Sequence, residues 1–129
     1  MELAFEKMGG LIPAVIQDDQ SSNVLMLGFV NAESLALTQS SGEVHFFSRS
    51  RNNLWKKGET SGHVLKVKAV RVDCDADAVL IRVDVVGPGV CHDGYQSCFF
   101  RELWQDGTAR VVEERRFDPS SVYTKKGAE

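Results

Sequence analysis

Cys74, Cys91 and Cys98 are the cysteines of this chain, and their settings differ. The first lies in Asp73-Cys74-Asp75-Ala76-Asp77, where acid and thiol alternate; the other two bound Cys91-His92-Asp93-Gly94-Tyr95-Gln96-Ser97-Cys98. Three thiolates can bind zinc and still leave one coordination position free, as a hydrolytic metal site requires. By spacing alone, inert buried thiols are an equal alternative, because the gap between Cys91 and Cys98 is longer than in the usual zinc knuckle. Asp73, Asp75 and Asp77 offer hard oxygen donors that suit magnesium. Like charges so close repel unless a cation neutralises them, although an exposed acidic turn is the plainer reading. His92, directly after Cys91, is a candidate proton shuttle, since histidine as a residue type titrates near neutrality, and His63 is a second candidate as base or substrate contact. His45 alternates inside a strand pattern and reads as structural.

A second group of residues suits phosphate. Ser48-Arg49-Ser50-Arg51 combines guanidinium groups, which meet phosphate oxygens in bidentate fashion, with hydroxyl donors. Lys57-Gly58-Glu59-Thr60-Ser61-Gly62 adds further hydroxyls and backbone N–H groups. A solvated polar loop is the plain alternative for both. Glu59 is either a general base or an ion-pair partner of Lys56 or Lys57. Trp55 either stacks on a purine or anchors the core.

The elements that position these residues follow from patterning. Residues 11–17 and 24–30 read as strands joined by the polar turn 18–23. Asn31 is a good N-cap for a helix over 32–40, and Gly42 sits where such a helix stops. A strand over 43–48 leads into a polar segment, 49–62. Over 64–74 the alternation puts Val70, Val72 and Cys74 on one face, and unbroken pairing would project Asp73, Asp75 and Asp77 from the other. Residues 79–86 form the next strand, stopped by Gly87-Pro88-Gly89. Residues 98–104 and 108–116 flank Asp106-Gly107, a hairpin turn signal. The class is α+β, mainly short antiparallel strands with one or two short helices.

At 129 residues, 43% hydrophobic and 26% charged, the chain reads as a single domain, 1–129, with a polar tail over about 118–129. No apolar run approaches the length of a membrane span, and the acidic start lacks a signal-peptide layout, so a cytoplasmic protein is expected. An odd cysteine count argues against a disulfide framework. The net charge of −3 gives no general reason to bind nucleic acid, although Arg49, Arg51, Lys56 and Lys57 form a stretch free of acid.

Taken together, several stretches resemble the phosphoribosyl-AMP cyclohydrolase family of histidine biosynthesis. They are Gly10-Leu11-Ile12-Pro13-Ala14, Val24-Leu25-Met26-Leu27, Phe47-Ser48-Arg49-Ser50-Arg51, residues 54–63 with Lys57-Gly58-Glu59-Thr60-Ser61-Gly62, Val72-Asp73-Cys74-Asp75, Cys91-His92 and Ser97-Cys98-Phe99. The similarity runs from about residue 9 to about 103, and the motifs are specific in combination. It implies hydrolysis of the N1–C6 bond of the adenine ring in phosphoribosyl-AMP, a phosphorylated nucleotide. It further implies zinc on Cys74, Cys91 and Cys98, and magnesium on Asp73, Asp75 and Asp77. It also implies an intertwined homodimer in which Cys74 of one chain meets Cys91 and Cys98 of the other. The helical pyrophosphatase domain fused to some members has no room here.

Two rival classes are distinguishable. A binding module with a structural zinc needs a fourth protein ligand, for which His92 is the nearby candidate, and a broad basic face. A zinc deaminase acting on another purine calls for H-x-E with P-C-x-x-C, and neither motif is present.

Overall fold

The computed structural model of the protein describes residues 1–122. Eight strands, one α-helix and two short 3-10 turns make an α+β fold. Its centre is a four-stranded sheet of β1 (Ile12–Asp18), β2 (Val24–Val30), β5 (Leu65–Val72) and β6 (Val79–Val85), in the order β2-β1-β6-β5. β1 and β2 are antiparallel, as are β5 and β6, whereas β1 and β6 run parallel with Ala14 opposite Val79 and Ile16 opposite Ile81. That parallel pair was not foreseen. It is possible because the chain travels through the helix and a second hairpin between β1 and β6, long enough for a crossover.

Period-two burial decides which face is inside. Ile12, Ala14 and Ile16 of β1 and Val79, Ile81 and Val83 of β6 turn inward and are almost completely covered. Each such valine or isoleucine contributes about 1.5–3 kcal/mol relative to an exposed position.

The helix α1 (Ala32–Ser41) begins and ends as the sequence suggests. Asn31 accepts from Ser34 N–H at 2.8 Å while the Ser34 hydroxyl accepts from Asn31 N–H at 2.9 Å, and Gly42 closes the helix in the left-handed region. Thr38, fully buried, donates to Ser34 O and accepts the His45 N–H at 2.9 Å, which ties α1 to β3 (His45–Ser48).

The polar segment 49–62 contains a strand that the sequence reading missed. β4 (Asn53–Lys56) pairs with β3, placing Phe46 opposite Trp55 and Ser48 opposite Asn53. Charged and amide residues around it hide the strand pattern, and the tight turn between the two strands has Asn52 at φ 54°. Glu43 fastens this hairpin to β5, with Lys56 Nζ at 2.7 Å and Lys66 Nζ at 3.2 Å.

The expected hairpin at Asp106-Gly107 exists but is shorter: β7 (Arg101–Leu103) pairs with β8 (Ala109–Val111), all six residues exposed. Of the expected polar tail, Asp118 caps the 3-10 turn Pro119–Ser121 through Ser120 N–H at 3.0 Å, and residues 123–129 lie outside the described residues.

Candidate active site

Continuous alternation through Cys74 does not occur. β5 ends at Val72 and carries a bulge between Val67 and Ala69, and Asp73–Ala78 is the turn into β6. The aspartates nevertheless gather, for a different reason. Asp73 Oδ1 accepts the Asp77 N–H at 3.0 Å and the Ala78 N–H at 3.3 Å, and Ala76 takes a φ of 61°, which folds the turn over its own carboxylates. One oxygen from each of Asp73, Asp75 and Asp77 lies within 4.8 Å of the others. The shared contact between Asp77 and Asp75 splits their acidities: it raises Asp75 and lowers Asp77, with Lys7 further depressing Asp77. Three hard oxygens converging in this way fit a small divalent cation.

Cys91 and Cys98 meet because the intervening loop doubles back. Cys91 N–H donates to Tyr95 O at 3.2 Å, Gly94 N–H to Cys91 O at 3.0 Å, and Val90 N–H to Gln96 O at 3.0 Å. The Tyr95 and Phe100 rings stack at 3.8 Å between centroids, and Cys98 N–H reaches Leu25 O of β2 at 2.7 Å. The two thiols share a polar contact. It holds the Cys91 thiol down to about 6, aided by the Asp93 N–H at 3.4 Å, and pushes Cys98 well above the ordinary thiol range. The pair therefore gives up its first proton near neutrality and presents the thiolate that soft cations take.

Cys74 is not part of that pair. Among the described residues, the three aspartates are the one group of three metal-type ligands within 4.8 Å of one another, so the three sulfurs do not converge within a single chain. The sequence of elements explains it. Cys74 precedes β6 and Cys91 follows it, and seven residues of strand span roughly 20 Å.

His63 is half-buried between two elements. Its Nδ1 lies 3.2 Å from Gly89 O, and its ring meets Phe117 edge-on at 5.0 Å. A carbonyl oxygen only accepts, so Nδ1 carries the hydrogen, and in the neutral ring Nε2 then has the lone pair. A Cβ at Gly87 would stand 2.5 Å from the His63 ring, so the backbone there must lack one for the ring to fit. His92 is exposed, 3.7 Å from Asp93. His45 uses Nδ1 on Glu43 O at 2.8 Å, in keeping with a structural part.

Ser48, Arg49, Ser50 and Trp55 come together with Gly28, Phe29, Phe46 and Phe47 around an open cleft of about 490 Å³. The Arg49 guanidinium stacks 3.9 Å over the Phe29 ring, which orients its fork, and Trp55 tilts against Phe46 at 5.2 Å. Gly28 makes room: a Cβ there would lie 2.6 Å from the Phe46 ring. The cleft offers an aromatic wall and a cationic rim, the two features a nucleotide uses. Arg51 flanks the rim, its N–H donating to Ser48 Oγ at 3.2 Å.

Residues 57–62 divide in two. Glu59 and Thr60 are exposed and Ser61 is half-covered, its hydroxyl accepting the His63 N–H at 3.1 Å. Lys57, expected in a phosphate loop, is instead 4% exposed, with Nζ 5.9 Å over Trp55 and its charge felt by Cys98. The sequence gives no signal for that inward turn, because Lys56 beside it points outward to Glu43.

With the geometry in place, similarity to known proteins is informative. A family model described as phosphoribosyl-AMP cyclohydrolase matches residues 26–100. A phosphoribosyl-AMP cyclohydrolase of Oleidesulfovibrio alaskensis is 53% identical over 119 residues, covering 92% of this chain and 91% of the relative. That of Geobacter sulfurreducens is 52% identical over 121 residues, covering 94% and 96%, and that of Methanosarcina acetivorans 54% over 114 residues, covering 88% and 91%. These matches define the class, an enzyme that opens a ring with water. The chain belongs to the phosphoribosyl-AMP cyclohydrolase family.

Proposed function

We propose that the protein hydrolyses the N1–C6 bond of the adenine ring in 1-(5-phosphoribosyl)-AMP, in histidine biosynthesis. Water oxygen bonds to C6, the N1–C6 bond breaks, and N1 takes a proton. The product is the phosphoribosyl-formimino aminoimidazole carboxamide ribotide. The observation that carries this reading is the pairing of the Cys91 and Cys98 thiols, a donor set for a soft cation, in a chain that also has a cleft suited to a nucleotide.

Cys74, Cys91 and Cys98 would hold zinc, with Cys74 supplied by a second copy of the chain because it stands apart from the pair here. Bound zinc lowers the pKa of water from 15.7 to about 7 and so supplies the nucleophile at neutral pH. His92 and the free Nε2 of His63 move protons between solvent and the ring nitrogen. Arg49, with Ser48, Ser50 and Arg51, binds one phosphate of the substrate, and Trp55, backed by the buried Phe46, faces its base. Thr60, Ser61 and Glu59 border the second phosphate, and Asp73, Asp75 and Asp77, which lie past the far end of β5 in the same chain, would hold magnesium near it only from a second copy. Lys57 contributes from inside, as positive charge next to Cys98. The exposed Leu103 and Trp104 on the β7 side of the outer hairpin, with Val111 and Val112 on the β8 side, give a homodimer apolar surface to bury.

Incubation with phosphoribosyl-AMP should give the rise in carboxamide absorbance, and Cys91→Ser should lose zinc and turnover together. Full turnover by the zinc-free variant would refute this chemistry.

A further inference from the structure

The acidic turn already faces a cation of the chain's own. The 3-10 turn Phe5–Met8 brings Lys7 Nζ to 3.2 Å from Asp77 Oδ2 and 3.6 Å from Asp75 Oδ2. Backbone contacts fasten this N-terminal segment to the same place: Ala4 N–H donates to Ala76 O at 2.7 Å, and Gly10 N–H closes the short turn on Phe5 O at 2.8 Å. Sheet register reinforces the contact, since β1 starts just after this segment and β6 just after the acidic turn, with Ala14 paired to Val79. The placement of Lys7 is therefore built by three independent features: a backbone hydrogen bond, a closed turn and a parallel strand pair.

We propose that Lys7 is the resident counter-ion of Asp73, Asp75 and Asp77, and that a divalent cation binds this turn by displacing its ammonium. The inference rests on the reading of the three aspartates as a magnesium site. Without a cation, three carboxylates this close repel one another and would splay. One ammonium offsets part of that charge and keeps the oxygens converged for an incoming ion. Displacement is feasible because Lys7 is about half exposed and its partners Asp75 and Asp77 remain open to solvent, at 57% and 29%, where ion pairs are weak. The competition also sets selectivity: a monovalent ion gains no charge over the ammonium it must replace, whereas a divalent ion does.

The test uses the full chain loaded with zinc, with manganese as the probe and its free-ion electron paramagnetic resonance signal as the readout. Lys7→Met should bind manganese about three- to tenfold more tightly than the parent, the scale of two exposed ion pairs. Lys7→Arg, which keeps the charge, should stay within about twofold of the parent. Equal affinity in parent and Lys7→Met overturns the proposal, as does tight binding by Lys7→Arg matching that of Lys7→Met. Asp75→Asn tests the underlying site separately. If it binds manganese as the parent does, or if no variant binds at all, the magnesium reading fails with the proposal.

Discussion

At the scale of single residues, the proposed chemistry leans most on Arg49 and the cysteine pair. Arg49 is pre-oriented by the Phe29 ring, so its fork is fixed before a phosphate arrives. Charge-assisted hydrogen bonds to such a group are worth about 1.5–3 kcal/mol. Arg49→Met should therefore lower kcat/KM by about 10- to 100-fold, mostly through KM, with the fold intact by circular dichroism. An unchanged KM would remove Arg49 from the phosphate site. The residues proposed for this site stand out in the sequence because their types are rare in combination: three cysteines, alternating acids and an Arg-Ser run. Lys57 was not, since burial of an ammonium depends on what packs around it and leaves no mark on its neighbours in sequence. The convergence of Asp73, Asp75 and Asp77 was expected, but from strand alternation. It arises from a turn in which Ala76 is left-handed, a conformation that residue type alone does not announce.

At the scale of elements, the readable parts were those with strong local signals. α1 has a capping box and a glycine stop, and β1, β2, β5 and β6 have apolar periodicity, so all five were placed within a few residues. β4 failed because Asn53, Leu54, Trp55 and Lys56 mix polar and apolar residues without a clear face, and its identity comes from pairing with β3. That hairpin matters because it forms one wall of the cleft. Its attachment to β5 runs through Glu43, whose carboxyl is held below its ordinary value of 4.5, first by the hydrogen bond from Lys56 and then by that from Lys66. A carboxyl depressed in the folded state stabilises the fold above its unfolded pKa, and that contribution disappears as pH falls through the folded value. Glu43→Gln should therefore melt below the parent at neutral pH, and the two melting curves should approach one another in acid, below the ordinary glutamate range. A gap that persists unchanged at low pH would mean that Glu43 acts by packing rather than charge.

At the scale of the whole molecule, β6 is the organising feature. Cys74 precedes one end of β6 and the Cys91–Cys98 pair follows the other, and the three sulfurs do not converge in one chain. Nothing in residue spacing reveals this, because the separation is created by a strand whose ends the sequence shows but whose direction relative to β1 it does not. Two copies related by symmetry would close two such sites at once. Mixing the Cys74→Ser and Cys91→Ser variants, each inactive alone, tests this most directly. If each site combines Cys74 of one chain with Cys91 and Cys98 of another, reassorted pairs contain one intact site, and random pairing restores about a quarter of parental zinc binding and turnover. A mixture that reassorts, shown by native mass spectrometry, yet regains neither zinc nor activity would contradict a site shared between chains.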